Sequence, residues 1–147
     1  MTSGRVVLVV AFLGLGYVYA SALLGGTWYA SQIPIPAAWI GVFSNRIIGV
    51  LAWMIAIQML AVVVLSVPFA YLIGRIGAGY GPVIALAMTL AIFFVFSWSS
   101  FLTLFNQPLP TSTRIVTAFD QTKFIWVLPL LVWLLRKLPS NNRWRGP

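Results

Sequence analysis

One stretch limits this chain more than any other. From Ile47 to Ile73 it reads IIGVLAWMIAIQMLAVVVLSVPFAYLI, with no charged residue inside and Arg46 and Arg75 at its flanks. As a helix rising about 1.5 Å per residue it would extend roughly 40 Å, more than the ~30 Å hydrocarbon core of a bilayer. A helix apolar on every side has no place in a soluble domain this small. The stretch is therefore expected to cross a membrane, with the rest of the chain packed around it. Composition agrees: 61% of the 147 residues are hydrophobic and 7% charged, about a quarter of the charge of an ordinary soluble domain.

The charges present exclude several functions. Nine Lys and Arg face one acid, Asp120, for a net charge of +8. The bases stand at the ends of apolar runs, where membrane orientation and anionic headgroups favour them, and they form no basic face for nucleic acid. With no Cys, no His and no Glu, thiol chemistry and most metal ligands and acid–base groups are missing. An enzyme acting on lipid would have to work with Asp120, Lys123, Arg114, Ser and Tyr, from which no nucleophile–base pair can be assembled by spacing. No catalytic residue, metal or cofactor is expected.

The first apolar run, 6–24, is long enough to span. Arg5 and Ala20-Ser21-Ala22 also allow a signal peptide reading, but the run exceeds a typical h-region and is taken as an uncleaved helix. Gly16 with Ala20, and Ser21 with Gly25, are small-xxx-small pairs that permit close helix approach. Gly25-Gly26 should end this helix. A surface loop follows, with Pro34 and Pro36 delaying the next helix, Trp28, Tyr29 and Trp39 at headgroup level, and Ser44 as N-cap. Within the second helix, 47–73, Gln58 is a mid-span amide that should face another helix rather than lipid. Pro68 withdraws the N–H that Val64 would accept, so a kink is expected, with Ser66 available to compensate. The following GRIGAGYG is a turn; its spacing matches no phosphate-binding loop.

Pro82 opens a third helix, 82–105. Thr89, Ser97, Ser100 and Thr103 fall on about a third of its circumference, a stripe suited to helix packing or to lining a wet path. Phe93, Phe94, Phe96, Trp98, Phe101 and Phe105 surround the stripe, a set that faces lipid or core, or else a flat apolar ligand such as a quinone or carotenoid. A second polar loop, 106–122, leads to the last run. Asp120 is expected at the membrane surface as a helix cap paired with Lys123 three residues on. The last helix, 123–138, is short, contains Pro129, and relies on snorkelling bases to span. Arg136, Lys137, Arg143 and Arg145 should lie on anionic lipid.

Four spans would form an all-α, up-down-up-down bundle in one transmembrane domain over 1–147. Both termini would share a side with Arg5, Arg75, Arg136, Lys137, Arg143 and Arg145, leaving Arg46, Arg114, Lys123 and Asp120 opposite. The positive-inside rule then puts both termini in the cytoplasm, for a bacterial inner-membrane protein. The halves echo each other weakly: each has a Pro-x-Pro loop (Pro34-Ile35-Pro36, Pro108-Leu109-Pro110) before a helix, as a pseudo-two-fold along the membrane normal would produce. The leading expectation is a non-catalytic accessory, structural or assembly subunit of a membrane complex. Its partners would be lipids and other membrane subunits or copies of itself, with no nucleic acid. The alternative is an oligomeric pore, holin-like protein or small-solute transporter lined by Gln58, Thr89, Ser97, Ser100 and Thr103.

Overall fold

The computed structural model describes residues 3–137 of the chain. Among these residues there is no strand. Helix α1 runs Ser3–Ser31, the short α2 Ala37–Gly41, α3 Arg46–Ile76, α4 Gly81–Phe96, α5 Trp98–Asn106 and α6 Thr111–Lys137, with a 3₁₀ turn at Ala78–Tyr80 before α4. Three helices are long and apolar enough to cross a membrane: Val7–Ser31 of α1, Arg46–Ile76 and Thr113–Lys137. The fourth candidate is the pair α4 and α5, bent by 60° where they meet.

Helix α3 is the hub. It packs against α1, α4 and α6, and α6 also packs against α4. A core of Tyr19, Leu23, Val62, Ala70, Ile73, Ala85, Val127, Leu128 and Val132 joins the four. The spacing of Val62, Ser66, Ala70 and Ile73 follows the 3.6-residue period of one helix face, and all four are buried. At the α3–α4 turn the backbones nearly touch. A Cβ added to Gly81 would lie 3.1 Å from the Val132 side chain and 3.5 Å from the Cα of Gly74. One added to Gly77 would lie 2.8 Å from the Ile73 carbonyl oxygen. Glycine is what lets α3 turn into α4 beneath α6.

Several boundaries differ from expectation, each for a local reason. Helix α1 continues through Gly25-Gly26 to Ser31, because the Thr27 hydroxyl donates to the Leu23 carbonyl (2.7 Å) and the apolar surface persists. Asn45, not Ser44, caps α3: its side-chain oxygen accepts from the Ile47 N–H at 2.9 Å. The expected helix 82–105 is broken at Ser97 into α4 and α5. The largest difference concerns the last helix. It starts not at Lys123 but directly after the second Pro-x-Pro, at Thr111, so most of the expected polar loop is helix. Proline fits the approach to a helix start, and the Thr117 and Thr122 hydroxyls return to carbonyls in the preceding turn of α6, so these two hydroxyls need no water.

Of the paired small residues in α1, Gly16 faces α4, with the Met88 side chain 3.5 Å from where its Cβ would be, and Ala20 is buried. Ser21 is exposed, and a Cβ on Gly25 would meet nothing within 4 Å.

Candidate functional site

Moving the start of α6 back to Thr111 changes the setting of its charges. Lys123 comes to the middle of a continuous helix rather than its end. It is 2 % exposed. Its ammonium Nζ lies 2.5 Å from Oδ1 of Asp120, one turn earlier on the same helix, and 2.5 Å from Oε1 of Gln58 on α3. Asp120 is inside the helix and caps nothing. The expected cap at the membrane surface is thus replaced by an internal ion pair, tied to the mid-helix amide of the neighbouring span. Gln58 and Lys123 stand equally far into α3 and α6, which run side by side in the same direction.

Three charge-bearing or amide groups meeting in this way satisfy one another. A Lys ammonium has no acceptor and three protons; here it donates to a carboxylate and an amide oxygen. Ionisable residues within transmembrane segments face the bundle interior and pair with one another, because an unpartnered charge among lipid tails costs several kcal/mol. The cluster joins α3 to α6 at mid-length, where a purely apolar contact would have no directional preference.

The hydroxyl stripe does not form one surface. Thr89 is fully buried, and its hydroxyl lies 3.0 Å from the Ile125 carbonyl oxygen of α6. Two carbonyls of its own helix, Ala85 and Leu86, are equally near, but they also have helical N–H donors. Ile125 has none, because the residue four positions on is Pro129. The Thr89 proton therefore serves the carbonyl that Pro129 leaves open. Ser97 lies at the α4–α5 break, while Ser100 and Thr103 are exposed on α5, Thr103 donating back to the Ser100 carbonyl (2.7 Å). Gln58 and Thr89 both address α6 from different helices.

Ser66 bonds the Tyr19 hydroxyl at 2.7 Å, linking α1 to α3. The chain pattern points to Ser66 only as a neighbour of Pro68 and does not single out Tyr19; an aromatic hydroxyl within an apolar run is the available signal. The aromatic set on α4 and α5 packs mostly on itself across the bend: Phe93 meets Phe101 edge-on at 5.6 Å, and Phe94 lies tilted 5.2 Å from Trp98. Arg136 donates to the Gly79 carbonyl at 2.9 Å, and the Lys137 ammonium lies 3.8 Å over the Trp133 ring. Arg143 and Arg145 lie outside the described residues.

Comparison with known proteins finds no matching family model, no matching curated protein and no matching solved structure.

Proposed function

We propose that this chain is a non-catalytic, multi-pass integral membrane protein that serves as an accessory, structural or assembly subunit of a larger membrane complex. The observation that supports this reading most is how its polar groups are used. Gln58, Lys123 and Asp120 satisfy one another, Tyr19 and Ser66 pair, and Thr89 serves Ile125. Apart from the Asp120–Lys123 pair, which lies within α6, each contact ties one helix to another. Outside, the helices are bare: in their most apolar windows only 17% of α1, 11% of α3 and 22% of α6 are buried. So much apolar surface calls for lipid or partner helices.

In this reading α4 and α5 together complete a fourth crossing, in an up-down-up-down order with both termini cytoplasmic. Burial of Lys123 takes one base off the outer side, leaving Arg46 and Arg114 there, and so favours this orientation under the positive-inside rule. A bacterial inner membrane suits such a chain. The test is gentle detergent extraction of a C-terminally tagged chain, followed by identification of co-purifying proteins. Reproducible recovery of defined membrane subunits is expected. Recovery as a lone monomer, or solute flux in liposomes that Gln58→Leu abolishes, would overturn the proposal.

A further inference from the structure

The Gln58–Lys123–Asp120 cluster balances its charge without using all of its hydrogen-bonding atoms. Lys123 takes Oε1 of Gln58 and Oδ1 of Asp120. A carboxylate has a second oxygen, and a side-chain amide has two N–H donors. Asp120 Oδ2 and Gln58 Nε2 make no hydrogen bond among the described residues. Both groups reach the surface of the bundle: the Asp120 side chain is 31% exposed, and Gln58 is partly exposed. Their depth makes this costly. The midpoint of α6 between Arg114 and Arg136 is residue 125, and Asp120 is about 8 Å from it, inside the ~15 Å half-thickness of the hydrocarbon core. Lipid tails satisfy neither an open donor nor an open acceptor there.

The two groups are neighbours. Gln58 Oε1 and Asp120 Oδ1 each lie 2.5 Å from the same ammonium, so the open donor on α3 stands beside the open acceptor on α6. Exposed apolar side chains frame them. Met54 is one turn before Gln58, and Phe119 and Trp126 are one turn either side of Lys123. Seven residues, about 10 Å of helix, separate Phe119 from Trp126, yet their ring centroids lie 5.8 Å apart. The two rings lean together across the turn that carries Lys123.

We propose that this face is the contact between two copies of the chain, related by a two-fold axis along the membrane normal. That operation sets α3 of each copy opposite α6 of the other, as in any self-complementary interface. Gln58 Nε2 of each copy then donates to Asp120 Oδ2 of the other. A second copy inserted in the same orientation brings the donor and the acceptor to the same depth without adjustment. An unrelated helix would need its own donor and acceptor at that one level. Met54, Phe119 and Trp126 close around the polar pairs and keep them from lipid. The contact rests on the reading of the chain as a membrane-spanning subunit.

The chain has no Cys, so the test starts from single cysteines in the full-length chain in liposomes. Met54 and Phe119 precede Gln58 and Lys123 by the same four residues and are therefore level. A Met54→Cys chain mixed with a longer-tagged Phe119→Cys chain should give a disulfide-linked heterodimer on mild oxidation. Leu60→Cys, about 200° round α3 from Gln58, should give far less with the same Phe119→Cys partner. Gln58→Glu keeps an acceptor for Lys123 but sets carboxylate against carboxylate across the axis. Dimer association, measured by dilution in lipid, should then fall about tenfold, as the loss of two modest interhelical hydrogen bonds implies. Adding Asp120→Asn exchanges donor and acceptor at unchanged net charge and should restore the dimer. A heterodimer yield no greater than that of Leu60→Cys, or undiminished dimerisation of Gln58→Glu, overturns the proposal. Co-purification of other subunits without the cross-link overturns the dimer and leaves the accessory reading standing. The cross-linked dimer with no other subunit does the reverse. Release of the chain from vesicles by alkaline carbonate would overturn both.

Discussion

The two ends of the α3–α6 pair are built differently. At the end near the α3–α4 turn, Ile73, Gly74, Gly81 and Val132 are buried; the α3 and α4 backbones approach within van der Waals distance and the Val132 side chain of α6 packs against them. Arg136 closes that end by bonding Gly79. At the other end the same two helices enclose a groove of about 340 Å³ lined by Ile48, Leu51, Ala52, Ile55, Thr113 and Val116, and, among the described residues, the buried side-chain atoms without a partner, Trp53 Nε1, Arg114 Nε and Gln121 Oε1, all belong to that half of α3 and α6. The boundary between the two is the Gln58–Lys123–Asp120 cluster. One end is finished by the chain itself, and the other is left with space and unused hydrogen-bonding capacity. Small residues make the difference: at one end Gly74 and Gly81 leave room for Val132 of α6 to pack against α3 and α4, whereas at the other Ile48, Leu51 and Ile55 line the space between the helices.

The comparison breaks first at its boundary. Lys123→Met leaves the Asp120 carboxylate without its cation; because that carboxylate is 31% exposed, the cost should be about 3 kcal/mol, the low end of the range for a buried pair. Asp120→Asn combined with Lys123→Met should recover most of this, because no buried charge then remains. Unfolding in mixed micelles measures both, and equal instability of the single and double variants would deny the pair its internal position. Next, Gly81→Val should destabilise the closed end by about 1–3 kcal/mol through overpacking against Val132, read by the same unfolding curves. An unchanged curve would show that the turn has room.

Thr89→Val should cost about 1–3 kcal/mol by stranding the Ile125 carbonyl. In a Pro129→Ala background the residue 129 N–H is restored and the cost should shrink, so a double-mutant cycle with no coupling would sink this account. The smallest effect is expected in the open groove. Ala52→Leu adds volume where space exists and should change stability by less than about 0.5 kcal/mol. A loss as large as that of Gly81→Val would erase the distinction between the two ends.

Much of the fold could be read along the chain. The long run containing Gln58 is one helix, the first run is another, and the glycine-rich segment is the turn between α3 and α4. Gln58 reads as an amide that should face a helix, because its cost among lipid tails follows from chemistry alone. The position of Lys123 was not legible in this way. A base at the edge of a twelve-residue apolar run normally marks the membrane boundary, and Thr, Asp and Gln before it suggest a loop. Only α3, supplying Gln58 opposite, and α6, extended back to Thr111, make that polar segment a helix and its charge internal. The hydroxyl stripe failed for a related reason: spacing assumes a straight helix, and the 60° bend after Phe96 divides it.

Run length and composition alone decide that this chain is helical and suited to a membrane, because apolar surface area and backbone hydrogen bonding depend on residue type and not on partners. Which polar groups are internal, and where the helices meet or part, was decided by tertiary packing. The free energy of a charge depends on what lies across from it. For Lys123 that is a carboxylate one turn away and an amide from a helix 65 residues distant in sequence.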